Sequence, residues 1–147
     1  MKNTKKRAIK ILSINLALGV IIAITSFIYS GCSEEVASDT GIGPIKKIEI
    51  PATIDQNLVN KGKEIFEAKC TACHKFDEKF TGPPLSGVTK KRKPEWIMNM
   101  MLNPVEMTQK DPEAKRLYQE YLLQMTFQDV TEDDARAILE YFRSKDQ

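Results

Sequence analysis

The sequence predicts an all-α domain of about four helices in the part of the chain that follows residue 52. Apolar residues recur there at helical spacing in several stretches, and each stretch begins at a proline or at a residue type that caps helices. No run of alternating apolar and polar residues is long enough to build a sheet. We therefore expect helices packed around a single core.

Each predicted helix has its own start signal. The first helix leads into the cysteine-containing segment near residue 70, and the second stops at an Asn-Pro pair. In chain order the start signals are a capping box of Thr53 with Gln56, then Pro94, Asp111 with Pro112, and Thr131 with Asp134.

Residues 1–31 have the composition of an export signal. Basic and no acidic residues occupy the first ten positions, an apolar run follows from 11 to 29, and small residues precede Cys32. The ending is similar to the signal of bacterial lipoproteins, which implies lipid attachment at Cys32 and a membrane-anchored protein. The alternative is an uncleaved anchor helix, because about 20 apolar residues can span a bilayer. Both predictions place the remaining chain in the periplasm or at the cell exterior.

Residues 32–52 are predicted to form a flexible tether followed by a short extended segment that lies on the domain. Small and acidic residues dominate positions 33–43, which is typical of flexible linkers, and isoleucines alternate weakly between Pro44 and Pro51. The whole chain has a net charge of +2, and the part after residue 31 has a net charge of −3. This balance gives no support for nucleic-acid binding.

The sequence Cys70-Thr71-Ala72-Cys73-His74 is the strongest functional signal. A Cys-x-x-Cys-His motif is the attachment sequence of a covalent haem c, in which the two thiols bind the haem and the histidine becomes the proximal iron ligand. His74 is the only histidine in the chain. The sequence therefore predicts one haem c and excludes ligation by two histidines.

Together with this motif, residues 53–147 resemble the small monohaem cytochromes c of mitochondria and bacteria. The similar features are Gly62 and Phe66 ahead of the haem motif, the segment Gly82-Pro83-Pro84-Leu85, the segment Pro94-Glu95-Trp96-Ile97, and an amphipathic last helix. The resemblance implies the cytochrome c fold, with Gly62 and Phe66 packed against Ile138, Tyr141 and Phe142 of the last helix.

The resemblance also implies roles for individual residues around the haem. The carbonyl of Pro83, or alternatively that of Pro84, accepts a hydrogen bond from His74 Nδ1, and Leu85 packs on the haem face. Trp96 donates its indole N–H to a haem propionate, or alternatively fills the core beside the haem.

The sixth iron ligand is predicted to be a methionine. By the resemblance it is Met125, in the irregular segment before the last helix, and Met107 is the alternative. Ligation by His74 and Met125 implies an electron carrier rather than an enzyme. Its partners are redox proteins of a respiratory chain, a membrane donor and an oxidase or reductase as acceptor.

Three alternatives stay open at this stage. One is a peroxidase or gas-binding protein whose sixth ligand site is open or labile, and another is a fixed subunit of a respiratory complex. The third concerns the basic run Lys90-Lys91-Arg92-Lys93, which is either a solvated loop or a docking patch for an acidic redox partner.

Overall fold

The computed structural model describes residues 39–147. The predicted export signal, the lipid attachment at Cys32 and residues 32–38 of the predicted tether lie outside the described residues. Within residues 39–147 the chain forms helices and no strand, which confirms the all-α prediction. None of the helices described there is both long and apolar enough to cross a bilayer. In chain order the helices are α1 (Gln56–Lys69), α2 (Val88–Lys91), α3 (Pro94–Leu102), α4 (Pro104–Lys110), α5 (Pro112–Tyr121) and α6 (Glu132–Lys145).

Helix α1 begins one residue after Asp55, not at the capping box predicted from Thr53. The Asp55 carboxylate accepts hydrogen bonds from the backbone N–H groups of Asn57 (2.8 Å) and Leu58 (3.3 Å). An aspartate at this position also interacts favourably with the positive end of the helix dipole, which explains why it takes the capping role.

Helices α1 and α6 cross at Gly62. A Cβ atom added at Gly62 would lie 2.0 Å from the carbonyl oxygen of Ala137, so only glycine permits this approach. One turn later the Phe66 ring packs on Tyr141 and Phe142, with ring centroids 5.7 Å and 5.6 Å apart. The predicted packing of the first helix on the last is therefore confirmed.

Helices α3, α4 and α5 each begin at a proline, whose missing N–H is not needed in the first turn. The sequence predicted α3 and α5 but not α4, because the Asn-Pro pair read as the end of a helix also starts the next one. The predicted capping box of α6 is present, since Thr131 and Asp134 exchange hydrogen bonds of 3.1 Å.

Residues 39–50, which include the end of the predicted tether and the extended segment, pack on α3 and α4. The side chain of Asn99, fully buried on α3, accepts from Ile45 N–H (2.9 Å) and donates to the carbonyls of Thr40 (2.9 Å) and Ile45 (2.8 Å). The Ile48 N–H donates to Glu95 (3.0 Å). These bonds attach the segment that precedes Thr53 to α3.

Candidate functional site

A cavity of about 450 Å³ opens between the Cys-x-x-Cys-His segment and the opposite wall of the helical domain. Cys70, Cys73 and His74 line one part of it. The other lining side chains come from all six helices, from residues 81–86 and from the segment between α5 and α6. Many of them are apolar: Phe66, Leu85, Ile97, Met100, Met101, Leu117, Leu123, Met125 and Phe142.

The two cysteines lie in a turn that continues the end of α1. The N–H groups of Cys73 and His74 both donate to the carbonyl of Cys70, at 3.0 Å and 2.9 Å. This turn places both cysteine side chains and the imidazole along the same cavity wall, and the two cysteines do not form a disulfide with each other. Burial raises the pKa of the Cys70 thiol.

The His74 ring is held in one orientation by the carbonyl of Pro83. The distance from Nδ1 to that oxygen is 3.1 Å, and because a carbonyl only accepts, Nδ1 carries the proton. Burial lowers the pKa of His74, and the hydrogen bond to Pro83 opposes this effect only in part. The imidazole is therefore neutral near pH 7, and its Nε2 lone pair is available to a metal ion.

Backbone pairing brings Pro83 next to His74. The N–H groups of Gly82, Leu85 and Ser86 donate to the carbonyls of Cys73 (2.8 Å), Lys75 (3.0 Å) and Phe76 (2.9 Å). Pro83 and its neighbour Pro84 fall between these bonds, where no donor is required. Of the two prolines considered from the sequence, Pro83 is the one that contacts His74, and Leu85 lines the cavity.

Glycine at position 82 is required by the position of the imidazole. A Cβ atom built on Gly82 would lie 2.6 Å from Cε1 of His74, closer than side-chain carbons approach. The absence of a side chain at Gly82 therefore lets the backbone pass directly beside the ring.

The two methionines considered from the sequence occupy different places. Met125 is partly buried and lines the cavity. Met107 is fully buried on α4, outside the cavity lining, and its Sδ accepts a hydrogen bond from Ile42 N–H (2.9 Å). The structure thus brings Met125, and not Met107, to the same cavity as His74, together with Met100 and Met101 of α3.

Met125 belongs to the irregular segment 122–130, which we name the Met125 loop. Its first residue, Leu122, and its penultimate residue, Asp129, have positive φ angles of 53° and 52°. Non-glycine residues adopt this left-handed conformation at an energetic cost, so surrounding contacts must hold the loop in place.

Trp96 does not leave its indole N–H available for a haem propionate. The ring is buried on α3, and Nε1 donates to the carboxylate of Asp111 at 3.1 Å. The same Asp111 oxygen caps α5 by accepting from Ala114 N–H (2.8 Å). An indole has a single donor, so this bond favours the second of the two predicted roles of Trp96, core packing beside the cavity.

Charged side chains line another part of the cavity. Arg92 forms an ion pair with Glu113, and Arg116 contacts the same carboxylate at 2.9 Å. The guanidinium of Arg92 also lies 5.2 Å from the centre of the Trp96 ring. The basic run is therefore not a uniform solvated patch, because Arg92 is committed to the wall of the cavity.

The sequence analysis did not identify the polar side chains that hold Trp96, Arg92 and the Met125 loop in place through hydrogen bonds or ion pairs. Asp111, Glu113, Thr108 and Gln124 all contact partners on other elements or in other turns. Only Gln124 carried a usable signal, since it directly precedes the methionine that the resemblance selected.

Comparison with known proteins agrees with this geometry. The family model described as cytochrome c matches residues 59–146. A solved structure of cytochrome c from Rhodothermus marinus is 48% identical, covers 74% of this chain and 93% of its own, and superposes with a TM-score of 0.71. An engineered cytochrome c from the same organism is 47% identical over 74% of this chain and 94% of its own, with a TM-score of 0.70. No curated protein matches the sequence.

A further engineered Rhodothermus marinus cytochrome c has been solved with a bound carbene intermediate. It is 47% identical, covers 74% of this chain and 94% of its own, and has a TM-score of 0.68.

Proposed function

The chain belongs to the cytochrome c family, and from that premise we propose that it carries single electrons at the outer face of a membrane, with His74 and Met125 as its axial iron ligands. Members of this family bind haem c covalently and exchange electrons with redox partner proteins. The observation that carries the ligand proposal is the single cavity lined by both thiols, the His74 imidazole and the Met125 side chain.

The residues of the cavity fit a haem c. Cys70 and Cys73 supply the two thiols for covalent attachment, and the neutral His74 offers Nε2 to the iron. Apolar side chains such as Phe66 and Leu85 suit a macrocycle, and basic side chains of Lys91, Arg92 and Arg116 suit its carboxylates. When bound, the haem supplies a one-electron couple between ferric and ferrous iron.

The protein residues set the conditions for that couple. The Pro83 carbonyl orients His74 and makes its coordinating nitrogen more basic. A thioether ligand would favour ferrous iron, so ligation by Met125 would raise the reduction potential. The apolar lining limits access of water, which reduces the reorganisation that accompanies electron transfer.

The visible spectrum of the holoprotein tests the ligand proposal. We expect wild type to be low-spin and to show the weak near-red band of sulfur-to-iron charge transfer. Met125→Ala removes the only proposed thioether ligand, so the band disappears and the reduction potential falls. Ferric and ferrous spectra and a potentiometric titration of the two proteins provide the measurement.

Met100→Leu and Met101→Leu are the matched controls, because both methionines line the same cavity but lie on α3. Both variants should keep the band. Its loss in either control, with retention in Met125→Ala, would transfer the ligand role to α3. A high-spin wild type that readily binds carbon monoxide would contradict the carrier proposal and favour a ligand-binding protein.

We also propose that residues 1–31 direct export and that a lipid on Cys32 anchors the mature protein. One support is the order of basic, apolar and small residues ahead of Cys32. The other is that covalent haem attachment requires the Cys70 and Cys73 thiols to be exported. An anchored carrier of this kind exchanges electrons between a membrane donor and an oxidase or reductase of the respiratory chain.

Fractionation of cells that express the full chain tests the anchor. Wild type should sediment with membranes and incorporate labelled fatty acid, whereas Cys32→Ala should lose the label and Ser33→Ala should keep it. Membrane association of unlabelled Cys32→Ala would identify residues 11–29 as the anchor instead. Wild-type protein in the soluble fraction would contradict anchoring altogether.

A further inference from the structure

We propose that Thr108 and Gln124 are positioning residues that hold the Met125 loop against the cavity and so control how readily the sixth ligand dissociates. This inference rests on the proposed ligation by Met125. It concerns two polar side chains that neither bind iron nor belong to the motifs used above.

The Gln124 amide has a defined orientation. Its Nε2 lies 2.8 Å from the carbonyl oxygen of Met125 and 3.4 Å from that of Pro104. Because both neighbours can only accept, the NH₂ end of the amide must face them. The oxygen Oε1 is then directed to Thr108, whose hydroxyl lies 2.8 Å away.

Thr108 supplies the donor that Gln124 requires. It lies on α4, is buried, and its Oγ1 is also near the carbonyls of Pro104 (3.1 Å) and Val105 (2.9 Å). A hydroxyl carries one proton, and Gln124 Oε1 is the nearest of these three acceptors. Thr108 itself belongs to α4, so this bond starts from a regular element. The chain of bonds therefore connects the rigid α4 to the backbone of the ligand residue.

The Met125 loop has few other means of staying in place. Its apolar residues Leu122, Leu123 and Phe127 are 83%, 51% and 51% exposed, so the burial of the loop comes from Met125 itself and from Val130 at its end, which is 5% exposed. Two of its residues are in the left-handed conformation. At its far end Lys69 Nζ donates to the carbonyls of Gln128 (3.0 Å) and Asp129 (2.7 Å), but this contact is exposed to solvent.

Opening of the loop must therefore break the Thr108–Gln124 bond inside the protein. A variant that lacks the hydroxyl leaves Oε1 without its donor in the closed loop, while water satisfies it in the open loop. The change thus shifts the population toward the open loop, from which Met125 can leave and an added ligand can bind.

The test is the rate at which imidazole replaces the thioether in the ferric holoprotein. In Thr108→Val, which keeps the shape but removes the donor, we expect this rate to rise about tenfold, the effect of one lost buried hydrogen bond. Gln124→Leu should have a similar effect. The near-red band should also be lost at lower pH or temperature than in wild type.

Three comparisons separate positioning from general destabilisation. Thr108→Ser keeps the hydroxyl and should retain the wild-type rate, and Gln109→Leu changes an exposed amide at the next position of α4 and should also have no effect. The double variant Thr108→Val/Gln124→Leu should be no faster than Gln124→Leu alone, because that change already removes the Thr108–Gln124 bond.

Each outcome bears on a separate claim. Wild-type rates in Thr108→Val and Gln124→Leu, with the near-red band present, would overturn the positioning role and leave Met125 as the ligand. If the band instead survives Met125→Ala, the ligand proposal itself fails, and the positioning role fails with it. Equal acceleration in Thr108→Ser and Thr108→Val would also overturn the role of the hydroxyl.

Discussion

Gly62→Ala is expected to lower the free energy of unfolding of the holoprotein by about 3 kcal/mol, with a fall in the thermal midpoint of at least about 10 °C. The added Cβ would lie 2.0 Å from the carbonyl oxygen and 2.5 Å from the carbonyl carbon of Ala137. Both are backbone atoms of α6, so no side chain can rotate away, and the two helices must separate. Thermal and guanidinium denaturation followed by circular dichroism measures the loss.

Helix propensity alone would stabilise Gly62→Ala, because alanine is the better helix former, so the two effects predict changes in stability of opposite sign. In an open helix the same replacement would gain about 1 kcal/mol. Asn60→Ala, an exposed position two residues earlier in α1, is the control and should change stability by less than about 0.5 kcal/mol. A stabilised Gly62→Ala would contradict the crossing contact. Rescue by a second change, Ala137→Gly, would show that the Ala137 side chain and not its carbonyl made the contact.

The sequence was sufficient for the parts of the fold that depend on local signals. Proline at a first helical position and the Thr131 capping box located α3, α5 and α6 because their effects act within one turn. Helix α2 has no such signal. Its four residues are stabilised by Asp146, whose carboxylate accepts from the N–H groups of Gly87 (2.7 Å) and Thr89 (2.9 Å). A contact across 59 positions cannot be inferred from local pattern.

The same distinction applies to the candidate site. His74 and the two cysteines are adjacent in sequence, so their spacing alone predicts their joint role. The partner of Trp96 could not be predicted, because Asp111 lies 15 positions away and was identified only as the start of a helix. Residues 39–43 were assigned to the tether because small side chains are typical of linkers, whereas 44–50 were predicted to lie on the domain as an extended segment. Their attachment depends on Asn99, a polar residue at a fully buried position.

Glu140 is a second group whose importance appears only in the folded chain. Its side chain is fully buried on α6, yet it accepts from Arg136 (2.5 Å), from Arg143 (2.9 Å) and from the backbone N–H of Asp55 (3.0 Å). Arg143 also donates to the carbonyl of Pro51 (2.8 Å). This network joins the entry to α1, where Asp55 caps the helix, to the middle of α6.

Glu140→Gln is expected to cost about 3 kcal/mol of folding free energy at pH 7, because it leaves two arginines facing a group that no longer carries a charge. Burial raises the pKa of Glu140, but hydrogen bonds from Arg136, Asp55 and Arg143 lower it more, so its pKa lies below the ordinary value. A carboxylate with a lowered pKa stabilises the fold above its unfolded pKa and loses that contribution as pH falls through the folded pKa. The difference in stability between Glu140→Gln and wild type should therefore be largest near neutral pH and shrink in acid.

Glu67→Gln separates burial from charge in this experiment. Glu67 also lies four residues from a cation, with 3.8 Å to Lys63, but both side chains are more than half exposed. Its replacement should cost less than about 0.5 kcal/mol, because water already solvates both charges. Denaturation of both variants at several pH values makes the comparison. If Glu140→Gln costs as little as Glu67→Gln, then water solvates Arg136 and Arg143 independently of the Glu140 carboxylate. The hydrogen bond from the backbone N–H of Asp55 would then be the only contact that joins α1 to Glu140.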